Sequence, residues 1–539
     1  MNFTTLERPP ASCDVLIVGS GAAGLTAACR AADAGHRVLV VERAAVLGGT
    51  TAVSGGVIWA PGNHLADADA DAEADADVTD DAGDDATDAG QGGSALRHLV
   101  AVTRGSVPRA RIEWFLRTVE EAVRYLCDET HVDLFALERP DYRADLPGAR
   151  RGGRALDNRP FDVAAYPGLE GLLRPPTYLP WLTMAEREQD GGADLAAIDR
   201  DRRERGTRTM GGALAGALAV SARARGVDFL LGARAVGLER SGHSWDLTLE
   251  HLGRVTARRA VVLASGGFEW DPALQRAFLP SRLTPIGAPG NEGDGLLMAL
   301  RSGAAVTDLT ASWGVPVFCD PEVRYEGLPT GRLAAGELTR PGSIMVDGSG
   351  RRFADEAGNY HDLTKVFRET DPATGAPRHV PAWFVYDAGH RARYPVAGTP
   401  PGGTPSWAIT RPTPRELARA CDIDAEALAE TIAEFNAGAV AGADRRFGRA
   451  PASLAPLAEG PFTAIPVVAG TLGTCGGVVT DDHGRVLTRD GTPVEGLFAA
   501  GNVAATVLGD HYPGGGTSLA VAVARAYAIG AALGEGARH

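Results

Sequence analysis

Apolar residues fall in short unbroken runs toward the two ends of the chain. Cys13–Gly19, CDVLIVG, is β-branched and does not alternate with polar residues, the pattern of a parallel strand buried on both faces. Residues 21–35 are alanine-rich, keep helical apolar spacing and stop at Gly35. His36–Glu42, HRVLVVE, repeats the strand pattern. Together they predict one strand–helix–strand unit. Arg259–Ala264, RAVVLA, predicts a further strand before Ser265-Gly266-Gly267, and Gly496–Ala500, GLFAA, another before Gly501-Asn502. Thr517–Leu533 predicts a closing helix. Between about Val315 and Leu472 the pattern changes: the chain is rich in Pro, Trp and Tyr, with helical stretches such as Pro414–Phe435.

The 539 residues amount to about three domains' worth of mass, or two large domains. The net charge of −15 is concentrated in Ala66–Gly90, which holds eleven acids and no base; without it the charge is −4. That stretch has too little apolar content to fold, so the region near 66–92 is expected to be a disordered surface loop. A mildly acidic body excludes a nucleic-acid partner, which needs a basic face. Six scattered cysteines without a C-x-x-C pair argue against a zinc site or disulfide scaffold and for reduced thiols in the cytoplasm. The opening MNFTTLERPPASC lacks a signal-peptide pattern, and no run of about 18 apolar residues is evident, so no transmembrane span is expected.

Gly19-Ser20-Gly21-Ala22-Ala23-Gly24 fits G-x-G-x-x-G after a strand and at the start of a helix, with Glu42 at the tip of the next strand. Gly19 serves the tight turn, Gly21 the approach of a pyrophosphate and Gly24 the packing of helix on strand. The helix start offers N–H groups to the diphosphate, and Glu42 can accept from ribose hydroxyls. The fold class is therefore α/β: a Rossmann-type dinucleotide domain at 1–315 and 473–539, interrupted by an α+β cap at 316–472 that carries catalytic residues.

The motif alone does not separate NAD from FAD. Arg43–Gly56, RAAVLGGTTAVSGG, resembles the FAD segment of the fumarate reductase and succinate dehydrogenase flavoprotein superfamily. The resemblance implies that Arg43, Gly48, Gly49, Thr50 and Thr51 line the adenosine and diphosphate side, and that Ser54, Gly55 and Gly56 pass beside the isoalloxazine. It places Ala264, Ser265 and Gly266 at the adenosine part, and Gly501, Asn502, Ser518 and Leu519 along the remainder. Members that attach flavin covalently use a His in this segment; none occurs from Glu42 to Trp59, which implies non-covalent FAD.

Four further pieces, in order along the chain, resemble the 3-ketosteroid Δ1-dehydrogenase family. They are PDYRADLPGARRGGRALDNRPFD at Pro140–Asp162, GSIMVDGSGRRFADEAGNY at Gly342–Tyr360, GTLGTCGGVVTD with GLFAAGN within Gly470–Asn502, and YPGGGTSL at Tyr512–Leu519. In the last, Gly515 replaces the family's Pro and Thr517-Ser518 its Ala-Thr.

The resemblance implies 1,2-desaturation of a 3-ketosteroid: a hydride from C1 to flavin N5 and a proton from C2 to a Tyr base. Tyr360 matches the base, Tyr142 its relay partner, and the Tyr512 hydroxyl with the Gly516 N–H the pair that holds the carbonyl. An ordinary Tyr, with a pKa of about 10, is a scarce base at neutral pH unless tuned or relayed. Desaturation of another cyclic ketone or enone, such as a secondary metabolite, stays open because of the altered loop. A fumarate-reductase-like activity is the more distant alternative; GNYHDL after Glu356 lacks the basic cluster that dicarboxylates require. The implied partners are an apolar ketone and an unidentified electron acceptor. Trp59, Trp181, Trp313 and Trp407 are candidate walls of the substrate slot. Arg352 and Glu356 are expected to form an internal ion pair that fixes Tyr360. Asp510 and His511 look catalytic beside Tyr512, but His511 is read as a loop residue; His361 and His64 have no partner spacing and are read as structural or exposed.

Overall fold

The computed structural model describes residues 2–66, 91–188 and 194–535. The acidic stretch, expected to be a surface loop, lies outside the described residues over 67–90. The chain divides into two compact units. One comprises Met1–Leu274, Gly290–Ser312 and Gly473–His539, the other Gln275–Pro289 and Trp313–Leu472.

The first unit is built on a sheet whose central strands are parallel. Their order is Asp228–Leu230, Val38–Val41, Ser12–Val18, Gly253–Leu263 and Pro493–Ala499. Arg485–Leu487 joins one edge antiparallel, and the hairpin Ala235–Ser241/Ser244–Leu249 pairs with the early part of Gly253–Leu263. All four residues of Val38–Val41 are buried, as a strand covered by helices on both faces requires. The register pairs Val18 with Val41 and with Leu263, and Leu263 with Ala499. Four neighbouring strands therefore end at one level, and the glycine turns after Val18, Leu263 and Ala499 leave from the same edge. That edge is where open α/β sheets bind ligands.

Helix Ala22–Asp33 packs against Met210–Ala224 and against Thr517–Glu535. Alanine and glycine dominate all three, which lets the helix backbones approach closely. Thr517–Gly534 corrects one expectation: by length and composition it is apolar enough to cross a membrane. It is nevertheless 67% buried, packed on Ala22–Asp33 and Arg109–Glu129.

The second unit holds a mainly antiparallel sheet. Its order is Arg332–Leu333, Ser312–Phe318, Phe462–Thr474, Ala382–Tyr386 and Ser343–Asp347. Thr284 and Pro285 pair with Gly470 and Thr471, which ties Gln275–Pro289 to this unit. Side chains alternate between two cores with the period of two that strands impose. Ile344, Val346, Val385 and Ala464 face one core, with Leu417, Leu428 and Phe435 from helices Pro414–Ala420 and Ala425–Val440. Met345, Phe384, Tyr386 and Ile465 face the other. The stretch Pro414–Phe435, read as helical, is two helices because Asp422 takes φ +57° between them.

Candidate active site

The cofactor cradle grows from the glycine turns of the first unit. Gly19 has φ +108°, and a Cβ there would collide with the Ala264 carbonyl of the neighbouring strand end. A Cβ on Gly24 would collide with the Gly19 carbonyl. Gly21 differs: its missing Cβ faces only Thr51 Oγ1, at 3.5 Å. The first and third glycines thus serve chain packing, and the second keeps space open on the side of the Thr51 segment. One detail departs from the simple picture of free helix N–H groups: Ala22 N–H donates to Thr51 Oγ1 at 2.9 Å.

Glu42 is held in place by three donors. The Ser20 N–H and hydroxyl donate to Oε2 at 3.0 and 2.6 Å, and the Ala44 N–H to Oε1 at 2.9 Å. A carboxylate offers about four lone-pair sites, so capacity for a ribose hydroxyl remains. Ser20 Oγ in turn accepts from Gly48 N–H at 3.0 Å, which links the two glycine segments. Arg43 pairs with Glu292 at 2.7 Å and donates to the Gly290 carbonyl at 3.0 Å; its guanidinium is committed to this neighbouring turn. Ser265 Oγ is buried with no hydrogen-bond partner among the described residues, at a position expected beside the adenosine part. Gly48 and Gly56 have φ +104° and +69°. Gly501 follows the strand end with φ +73°, and the Asn502 amide lies against Gly473. Open space at Gly21, an orphaned hydroxyl at Ser265 and an anchored acid at Glu42 fit a dinucleotide with a ribose and a diphosphate.

Glu269 and Asn291 were not singled out from sequence. Asn291 Nδ2 donates to Thr50 Oγ1 at 3.1 Å and to Glu269 Oε1 at 2.7 Å, so both border the segment expected to line the diphosphate. Glu269 is fully buried, and burial pushes its carboxyl up to about 7. The only signal in the sequence is an acid directly after the Gly266-Gly267-Phe268 turn. A raised pKa means that ionisation opposes folding. The contribution of Glu269 is fully present below pH ~4.5 and is lost as pH rises through about 7. Glu269→Gln does not ionise. The melting temperature of the variant, relative to that of the parent, is expected to improve from pH 5 to pH 8, by the equivalent of at most roughly 3 kcal/mol. Thermal melts of the holoprotein test this; a difference that stays constant with pH refutes it.

The loop before the last helix forms a second cluster in the same unit. Gly516 N–H donates to the Tyr512 hydroxyl oxygen at 3.4 Å, so the two expected carbonyl donors converge. Tyr512 is buried, and the ring of Tyr142 lies 6.0 Å from it, centroid to centroid. The Tyr142 N–H donates to the Pro513 carbonyl at 2.8 Å, fastening the two segments. Beneath them Trp59 Nε1 donates to Asp141 Oδ1 at 2.7 Å, and Asp141 Oδ2 pairs with buried Arg154 at 2.5 Å. Gly516 has φ +102°, and a Cβ on it would collide with the Val57 carbonyl. Trp59 packs against Gly514 and stacks on Phe115, so its role is to support the loop. Arg139, also missed, reaches Gly515. Asp510 and His511 adjoin the loop, and His511 Nε2 pairs with Ser106 Oγ at 3.0 Å. Ser518 and Leu519 open the helix that follows.

Tyr360 belongs to the second unit. It is the first residue of helix Tyr360–Val366, whose start is capped by Asn359 Oδ1 accepting from His361 N–H at 2.9 Å. Its ring packs on Ile286, Val315 and Val317. Four residues earlier, Glu356 pairs with Arg352 at 2.8 Å and with Arg449 at 2.9 Å, and Arg352 also pairs with Asp444 at 2.9 Å. The expected Arg352–Glu356 pair is thus part of a buried network of four. His361 is buried beside Trp313. Trp407 packs on the core of this unit, whereas Trp181 in the first unit lies under Arg208, 4.2 Å from its ring centre.

Residues 14–519 match the FAD binding domain family. The chain is 38% identical to 4-oxocyclohexanecarboxylate 2-dehydrogenase of Sinomonas cyclohexanicum, over 97% of this chain and 93% of that one. It is 32% identical to 3-oxosteroid 1-dehydrogenase of Mycolicibacterium smegmatis, over 95% and 96%. Its fold matches the crystal structure of 3-ketosteroid Δ1-dehydrogenase from Sterolibacterium denitrificans in complex with 1,4-androstadiene-3,17-dione. There the TM-score is 0.87 and the identity 28%, covering 98% of this chain and 100% of that one.

Proposed function

From the premise that this chain belongs to the FAD-binding flavoprotein family that contains the 3-oxosteroid 1-dehydrogenases, we propose that it desaturates a ring ketone next to its carbonyl. The chain is an FAD-dependent oxidoreductase of the kind acting on CH–CH groups, and its FAD is non-covalent. When bound, FAD supplies the two-electron acceptor. Glu42, Ser265, Thr50, Thr51, Asn502 and the glycines around them would hold it.

The observation that carries the reading is the convergence of the Tyr512 hydroxyl and the Gly516 N–H at the head of the last helix. Two donors there hold the substrate carbonyl and stabilise the enolate that forms as the α-proton leaves; such a donor is typically worth about 10²–10³ in rate. The positive end of helix Thr517–Glu535 adds to the same effect. Tyr360 takes the α-proton and Tyr142 passes it outward. The domain 316–472 acts as the cap that carries Tyr360. A cyclohexanone ring is favoured over a full 3-ketosteroid by the higher identity to the oxocyclohexanecarboxylate enzyme and by Gly515 in place of the family's Pro.

The purified protein is expected to be yellow. Anaerobic 4-oxocyclohexanecarboxylate should bleach its flavin band faster than a 3-keto-4-ene steroid does. Bleaching by neither would reject ring-ketone desaturation; bleaching by the steroid alone would restore the steroid as substrate.

A further inference from the structure

We propose that Asp141 is a positioning residue: its carboxylate holds the relay tyrosine, Tyr142, at a fixed separation from the carbonyl-holding pair, Tyr512 and Gly516. This rests on the ring-ketone reading above. Asp141 directly precedes Tyr142, and the two residues grip the same loop by different groups. The Tyr142 N–H donates to the Pro513 carbonyl at 2.8 Å. The Asp141 side chain acts through Trp59, whose Nε1 donates to Oδ1 at 2.7 Å. Trp59 meets the loop twice. Its backbone N–H donates to the Gly516 carbonyl at 3.4 Å, and its indole packs so closely on Gly514 that a Cβ there would collide with it. Pro513, Gly514 and Gly516 are thus all fixed from residues 141 and 142, directly or through one indole.

The carboxylate is anchored firmly enough to serve as a fixed point. It is buried, and Oδ2 accepts from Arg154 Nη1 at 2.5 Å and from the Arg150 N–H at 3.0 Å. The Asp141 N–H donates to the Arg150 carbonyl at 2.8 Å. Arg154 is buried too, and its Nη2 donates to Ser94 Oγ of helix Gln91–Thr103 at 3.0 Å. His98 of that helix stands 4.0 Å from Oδ2; burial holds its pKa below the ordinary value, so the cation that matches Asp141 is Arg154. Three donors therefore converge on two oxygens, and none of them belongs to the loop that they steady. A carboxylate accepts at both oxygens, whereas an amide accepts at one only. A buried ion pair carries a desolvation cost that apolar packing avoids, so stability alone gives no reason for one here. The pair instead lies one residue from Tyr142, where geometry governs rate: misplacing a reacting group by about 1 Å can cost roughly 10²-fold.

The test compares the holoenzyme with Asp141→Asn, Trp59→Phe and the double variant. The substrate is the ring ketone that bleaches the flavin, 4-oxocyclohexanecarboxylate or the 3-keto-4-ene steroid, used plain and deuterated beside its carbonyl. Thermal melts and flavin content normalise each rate to folded, flavin-loaded enzyme. Each single variant is expected to lose about 10- to 100-fold in kcat with KM changed less than about 3-fold. Its isotope effect on kcat should exceed the parent's, because the proton step is the one slowed. The double variant should be no slower than Asp141→Asn, since both changes break the same hydrogen bond. Trp59→Phe keeps a ring on Gly514 and leaves the Asp141–Arg154 pair intact, so it reports the link even where Asp141→Asn fails to fold. Losses that multiply in the double variant would mean two independent roles and overturn the proposal. Normalised rates and isotope effects equal to the parent's would overturn it too, leaving Asp141 a structural residue. If the parent turns over neither ketone, the ring-ketone reading itself fails and the proposal falls with it; the parent's unbleached flavin identifies that case.

Discussion

Tyr360→Phe is expected to lower turnover about 10²–10⁴-fold and to leave the protein yellow with its full FAD content. The change removes one hydroxyl and keeps the ring, so the packing on Ile286, Val315 and Val317 persists. The helix cap at Asn359 uses the His361 N–H and not the phenol, so helix Tyr360–Val366 should also form normally. Every residue named in the FAD cradle belongs to the first unit, so flavin binding should not report the change. Steady-state dye reduction gives the rate, and an anaerobic mix with substrate gives flavin reduction alone. A base is needed before the carbanion can release its hydride, so reduction of the flavin should slow as much as turnover does. A variant that reduces its flavin at the parent rate would remove Tyr360 from the proton step. A colourless variant would make it a structural residue.

Gly19→Ala is the second large effect expected: a loss of roughly 2–6 kcal/mol and a chain isolated without FAD. The estimate joins two costs. Alanine at φ +108° occupies a backbone region that L side chains rarely adopt. The new methyl also meets the Ala264 carbonyl and the Ser265 Cα, which are backbone atoms held by the parallel pairing of Ser12–Val18 with Gly253–Leu263. Neither strand can yield without opening the edge where the glycine turns gather. Gly21→Ala is the informative comparison. Its Cβ would stand at ordinary contact distance from Thr51 Oγ1, so stability should change little while FAD affinity drops. Thermal melts and flavin-to-protein absorbance ratios on both variants separate the roles. Equal melting temperatures would refute the division between a packing glycine and a ligand-facing one.

Local patterns carried much of the cofactor half. Val38–Val41 and Ser12–Val18 are strands because their unbroken apolar runs suit burial on both faces, and that signal needs only neighbours in sequence. The glycine motif is equally local, since turn, helix start and strand tip follow one another within residues 13–42. The Tyr512–Gly516 loop was legible as a motif, and its two donors do converge. The second unit was less open to such reading. Its sheet is mainly antiparallel but also pairs Thr284 with Gly470 in parallel across some 190 residues, a partnership that no local period announces. The break at Asp422 was hidden too, because helical composition continues on both sides of it.

By itself the sequence determined the dinucleotide turn, the kind of cofactor and the family of the chemistry, because each is written in short contiguous motifs. Tertiary structure alone decided what surrounds those motifs. Glu269 has an elevated pKa only because folding removes water from it, against the lowering effect of the hydrogen bond from Asn291. Arg139 lies beside the Tyr512–Gly516 loop only because a segment some 370 residues earlier in the chain hydrogen-bonds to Pro513 through Tyr142. Charge, burial and reach belong to the space around a residue, and the chain order does not contain that space until it folds.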